Sequence, residues 1–199
     1  MFKRKCKITF ITHGATVHSM DGILSDAENF PKINDIGEDE IDKVCEYLTK
    51  RGVHYDKIYT SSSARCMQSA QIVAKLFKKR TTTIDLPSRR LGEWSGQSFN
   101  DLLEQYGKKV ITQAPQGGEG VKEFNKRVRK VIKKLVEENH GNRIIVVTTP
   151  DVVQAAVALT LGLTPENQFK QLIKTGSLTQ ISYFVDNWSS VIYSDYIPL

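Results

Sequence analysis

A chain of 199 residues, 40% hydrophobic and 25% charged, has the proportions of an ordinary globular domain and can bury a core without staples. Collagen-like, disordered and disulfide-scaffold classes are excluded on these values, and no apolar run approaches the roughly 20 residues a membrane span needs. The 28 Lys+Arg against 22 Asp+Glu leave +6, which points to an anionic partner or to a lysine-rich surface.

In chain order, basic residues 1–7 run straight into a strand predicted over Lys7–Thr12, so a secretory leader is not expected. That strand stops at His13-Gly14, a loop signal. Residues 37–50 carry Ile41, Val44, Cys45, Tyr47 and Leu48 at helical spacing, with Gly52 just past the end. A short strand at Lys57–Thr60 leads into Ser61-Ser62-Ser63, good capping residues for a helix running through Phe77. Thr82–Leu86 reads as strand and Asn100–Tyr106 as helix.

Next comes a long helix, Val121–Glu138, whose apolar stripe (Phe124, Val128, Ile132, Leu135) predicts a solvated outer face bearing Lys122 through Lys134, Arg127 and Arg129 included. The β-branched run Arg143–Thr149 is apolar on almost every residue and belongs at a sheet centre. A helix over Asp151–Leu161 and a hairpin of Ser177–Val185 with Trp188–Asp195 close the chain. Strands alternating with helices predict a three-layer α/β/α sandwich with a mostly parallel central sheet, one domain over residues 1–199. The irregular stretches, Val17–Ile36 and Gly107–Gly120, are candidate lids or substrate loops.

Ligands of open α/β sheets bind beyond the carboxyl ends of the strands. The residues there are Thr12-His13-Gly14, the Ser61–Ala70 turn with Arg65, and Thr149-Pro150. Arg65 falls in the first turns of its helix, where a guanidinium fork and nearby amides suit an anion.

In motif and order the chain resembles the histidine phosphatase superfamily, the phosphoglycerate mutase-like group. The resemblance is carried by His13-Gly14 after an apolar strand and by the Ser/Thr-rich turn followed by Arg65 and Gln68-Ser69-Ala70. Leu91-Gly92-Glu93-Trp94-Ser95-Gly96 and Pro115-Gln116-Gly117-Gly118-Glu119 before the basic helix extend it. It implies an imidazole that attacks a phosphoryl group in line, with cations around the equatorial oxygens. His13 takes the place of the nucleophile; Arg65, Gly14 and Ser19 are the candidate phosphate contacts, with Arg89 and Arg90 as possible substitutes for a missing clamp.

Several positions depart from the family pattern. Thr12 stands where an arginine is expected, Ser88 where the acid Glu is expected, and Thr149-Pro150 where the second His-Gly is expected. Losing a preorganised donor to the transition state costs about 10²–10³ in rate, and losing general acid catalysis about 10²–10⁴. The expectation is therefore a protein with impaired or absent phosphatase activity, a pseudophosphatase that binds a phosphorylated small molecule or serves as a partner subunit. The alternative is an active phosphomonoesterase working through a phosphohistidine at His13. Glu93 and Asp151 are the carboxylates that could replace the lost acid, whereas His18, His54 and His140 read as loop residues. A glycolytic mutase is disfavoured by the short Asn100–Gly120 region.

No metal or other cofactor is expected, since His and Cys lack ligand spacing. The scattered Cys6, Cys45 and Cys66 fit free thiols in the cytoplasm. Neither nucleic acid nor a membrane is an expected partner; a protein partner or homo-oligomer stays open.

Overall fold

The computed structural model describes residues 3–26 and 31–198. Its strands are β1 (Arg4–Thr12), β2 (Lys57–Ser61), β3 (Thr81–Ile84), β4 (Arg143–Thr148), β5 (Leu178–Phe184) and β6 (Ser189–Tyr196). Its helices are α1 (Val17–Met20), α2 (Asp35–Lys50), α3 (Ala64–Phe77), α4 (Phe99–Tyr106), α5 (Lys109–Thr112), α6 (Val121–Glu138), α7 (Pro150–Leu161) and α8 (Pro165–Gln168). The strands form one six-stranded sheet in the order β3-β2-β4-β1-β5-β6. β3, β2, β4 and β1 run parallel, and β5 and β6 are antiparallel additions at one edge.

The apolar run of β4 explains its place between β2 and β1. Ile144 and Val146 pack on one face with Phe124, Val128, Ile132 and Leu135 of α6 and Val152, Val153 and Val157 of α7. Ile145 and Val147 pack on the other with Ile41, Val44 and Leu48 of α2 and Ala70 and Val73 of α3. A strand buried on both faces has no use for alternation, and β4 shows none. The expected α/β/α layering is thus the observed one.

Local differences have local causes. β1 begins at Arg4, because its first residues pair with the end of β5 across an irregularity between Arg4 and Cys6. β3 ends at Ile84, and Leu86 is buried beyond it as a core residue of the following loop. Both irregular stretches contain helix: α1 lies in the first and α5 in the second. Most basic residues of α6 are exposed as expected, but Arg127 is not; it turns inward onto Glu119. Among the described residues no helix is long and apolar enough to cross a membrane.

Candidate active site

Thr12 and Thr148 are register partners in the neighbouring parallel strands β1 and β4, so His13 and Thr149 leave the sheet side by side. The His13 amide donates to the Thr148 carbonyl (2.9 Å), which fixes that exit. The loop after it is held from three directions. The Gly14 amide donates to Ser69 Oγ of α3 (3.1 Å), the Ala15 amide to Glu40 Oε2 of α2 (2.8 Å), and the Asn34 amide to the Ala15 carbonyl (3.0 Å). Gly14 passes so close to α2 that a Cβ there would lie 2.1 Å from the Gly37 carbonyl oxygen. The glycine of His-Gly is a backbone-clearance requirement, independent of any ligand.

His13 is buried, with Nδ1 2.8 Å from the Gly14 carbonyl oxygen. A carbonyl only accepts, so Nδ1 carries the proton and Nε2 keeps a lone pair. Burial, reinforced by the Arg65 charge, pushes the imidazole down to about 3, although the Gly14 hydrogen bond works the other way. The ring is neutral at physiological pH, the form a nucleophile needs.

Arg65 is 3% exposed at the start of α3. Its Nη2 donates to the Ser25 carbonyl (3.3 Å), whereas Nε and Nη1 are buried without a partner among the described residues. A buried guanidinium with two such nitrogens is placed to donate to an anion in the cavity. His13 and Arg65 line one cavity of about 530 Å³, together with Ser19, Arg89, Thr149, Pro150 and Asp151. Ser19 is engaged in a reciprocal cap with Thr16 at the start of α1, so its hydroxyl serves the loop while its residue borders the cavity.

The positions that depart from the family pattern have other occupations. Thr12 donates to the Lys174 carbonyl (2.7 Å) and accepts from the Ser177 amide (2.8 Å), which holds the turn before β5. Ser88 is buried outside the cavity lining, and its hydroxyl has no partner among the described residues. Thr149 donates its hydroxyl to Asp151.

The substitutes fare unevenly. Arg89 reaches the cavity, but its guanidinium donates to the carbonyls of Glu119 (2.7 Å), Ile111 (3.3 Å) and Gln113, which uses all three nitrogens. Arg90 does not border the cavity; it is 58% exposed and faces Glu119 at 4.0 Å. Its guanidinium is turned toward Glu119 and not toward His13. Asp151 lines the cavity with its oxygens committed as acceptors, from Thr149, the Val152 amide (2.9 Å) and the Arg89 amide (2.7 Å). Glu93 is exposed and contacts the Gln116 amide outside the cavity (3.4 Å). His18 meets Ser25 in its loop (2.7 Å), and His54 and His140 are exposed.

Sequence reasoning missed the supports Glu40 and Ser69 and the apolar wall of the cavity. Ser69 was within sight as part of Gln68-Ser69-Ala70; Glu40 had no signal beyond an ordinary helix surface. A separate cavity of about 410 Å³ lies between α6, α7 and the β5–β6 turn, away from the strand ends that carry His13.

A nucleophile-competent histidine beyond β1 and a buried arginine opening α3 coincide with a match over nearly the whole sequence. The chain belongs to the histidine phosphatase superfamily. The family model of its branch 1 matches residues 8–195. A broad-specificity phosphatase of Saccharomyces cerevisiae is 24% identical over 94% of this chain and 83% of its own. An adenosylcobalamin/alpha-ribazole phosphatase of Escherichia coli is 24% identical, covering 88% of this chain and 89% of its own. Among solved structures, YhfR of Bacillus stearothermophilus superposes with a TM-score of 0.86 at 18% identity, over 96% of this chain and 98% of that one. The phosphoglycerate mutase-like fold is shared with that structure.

Proposed function

We propose that this histidine phosphatase-fold protein binds a phosphorylated small molecule at the His13–Arg65 end of its cavity and hydrolyses it poorly or not at all. The observation that carries this reading is the state of the cations. Arg65 offers an anion two nitrogens that have no partner among the described residues, while each nitrogen of Arg89, the nearest replacement for the missing clamp, already donates to a backbone carbonyl. Phosphoryl transfer depends on positive charge around the equatorial oxygens, so binding can survive where turnover does not. Asp151 is engaged as an acceptor, which leaves the departing oxygen without an evident acid. A cytoplasmic setting agrees with three free, buried thiols.

The test pairs calorimetric titration of inorganic phosphate with turnover of p-nitrophenyl phosphate and a panel of phosphomonoesters. Phosphate binding that is lost in Arg65→Ala, with turnover at least about 10²-fold below that of an intact family member, is the expected result. Robust turnover that vanishes in His13→Ala overturns it.

That result would favour a second reading, an active phosphomonoesterase, which the neutral His13 supports. There Nε2 attacks phosphorus, the P–O bond to the leaving group breaks, and the leaving oxygen takes its proton from solvent water. Water then cleaves the phosphohistidine. Acid-labile phosphate trapped on His13 is its signature.

A further inference from the structure

The cavity of about 530 Å³ is built unevenly. One end holds the His13 ring and the buried Arg65 guanidinium. Much of the remaining wall is apolar, drawn from Leu24, Leu91, Trp94, Val110, Ile111 and Phe169. Five of these belong to a small hydrophobic cluster of their own, in which Leu91, Trp94, Leu102 and Val110 are buried and Leu24, Tyr106 and Ile111 pack against them. The wall is held by that packing and by main-chain bonds. The Gly96 amide donates to the Leu24 carbonyl (2.8 Å), the Leu24 amide to the Gln97 carbonyl (2.9 Å), and the Leu91 amide to Asp26 (2.9 Å).

Resting on the reading of the His13–Arg65 end as a phosphate subsite, we infer that the ligand carries a single phosphate on an apolar body about the size of a ring, rather than on a polyol or a second phosphate. A polyol would place hydroxyls against a wall in which Trp94 Nε1 is the one polar side-chain atom of these six residues, and the lining Gln154 and Gln171 already donate to each other's main-chain carbonyls (2.9 and 3.0 Å), so most of its desolvated hydroxyls would go unpaired at a penalty. A second phosphate would meet the Asp151 carboxylate and an Arg89 whose three nitrogens are each already turned onto a backbone carbonyl. Lys170 also borders the cavity, but it is solvent-exposed, where screening weakens its attraction. An apolar body gains from burial against a wall that is already formed, within the size range usual for small-molecule pockets.

Phosphonates separate this inference from any question of turnover, because their P–C bond is not hydrolysed. Calorimetry compares phenylphosphonate, methylphosphonate and 2,3-dihydroxypropylphosphonate on the full chain. Phenylphosphonate is expected to bind at least tenfold more tightly than either of the others, and all three weaken in Arg65→Gln. Phe99 and Leu172 line the same cavity and are 37% and 68% exposed, so the double change Phe99→Ser/Leu172→Ser keeps the fold. It should erode the phenyl preference at least threefold and leave methylphosphonate unchanged. Dihydroxypropylphosphonate binding as tightly as phenylphosphonate, with Arg65 still required, overturns the ligand class and spares the phosphate subsite. Absence of binding by all three, or indifference to Arg65→Gln, overturns both.

Discussion

His13 is neutral because its surroundings refuse a proton. It is buried, a guanidinium lies nearby, and its Nδ1 is already satisfied by the Gly14 carbonyl. This has a consequence for stability. The unfolded chain takes up a proton on this residue below the ordinary histidine value of 6.5, whereas the folded chain resists until about 3. The contribution is therefore complete above pH 6.5 and is lost as pH falls toward 3, at up to about 1.4 kcal/mol per pH unit inside that window. His13→Gln removes the effect. Urea midpoints of wild type and variant at pH 7.5, 6 and 5 should show the stability difference shifting against wild type as pH falls. A difference that stays constant means the folded imidazole protonates freely. Local patterning put His13 and Arg65 beyond strand ends, and it was the motif resemblance that singled them out as a pair. The state of Arg89 was not legible in the sequence, because the carbonyls that receive its guanidinium belong to α5 and the loop after it, more than twenty residues away.

At the scale of elements, α6 shows both what periodicity reveals and where it stops. The stripe of Phe124, Val128, Ile132 and Leu135 places the buried face correctly. Arg127 lies at the margin of that stripe, and only its partners decide its orientation. It donates to both Glu119 oxygens (3.1 and 2.8 Å) and to the carbonyls of Pro87 (3.0 Å) and Ser88 (3.2 Å). Burial works to raise the Glu119 carboxyl, but the Arg127 guanidinium outweighs it and holds the group below its usual value. The pair thereby fastens the segment that carries Arg89 and Leu91 to the helix. Arg127→Ala leaves a carboxylate that is 3% exposed with only the exposed Arg90 at 4.0 Å and should cost about 3 kcal/mol, whereas exposed Lys126→Ala should stay within about 0.5 kcal/mol. Denaturant titration of the two variants checks this; equal effects would make Arg127 one more surface charge.

Across the whole molecule, the two main hydrophobic clusters share β4 and β1, and the cavity wall is packed in a third, smaller cluster. Opening should follow that division. Amides of β1 and β4 are expected to exchange hydrogen most slowly, residues 91–112 sooner, and a bound phosphonate should protect the latter segment. Exchange mass spectrometry showing residues 91–112 as slow as β4 would contradict this. The surplus of +6 resides largely on exposed side chains such as those of α6, whereas the cavity sets Arg65, Arg89 and Lys170 against Asp151. Strand and helix order, the doubly buried central strand, and the placing of His13 and Arg65 at strand ends were determined by the sequence alone, because each rests on local patterning or on neighbours along the chain. Which cations remain available to an anion, and that the cavity is apolar beyond them, was decided only by tertiary structure. Both depend on groups far apart in sequence, such as the Ile111 and Gln113 carbonyls that occupy Arg89 and the Leu24–Trp94–Val110 packing that shapes the wall.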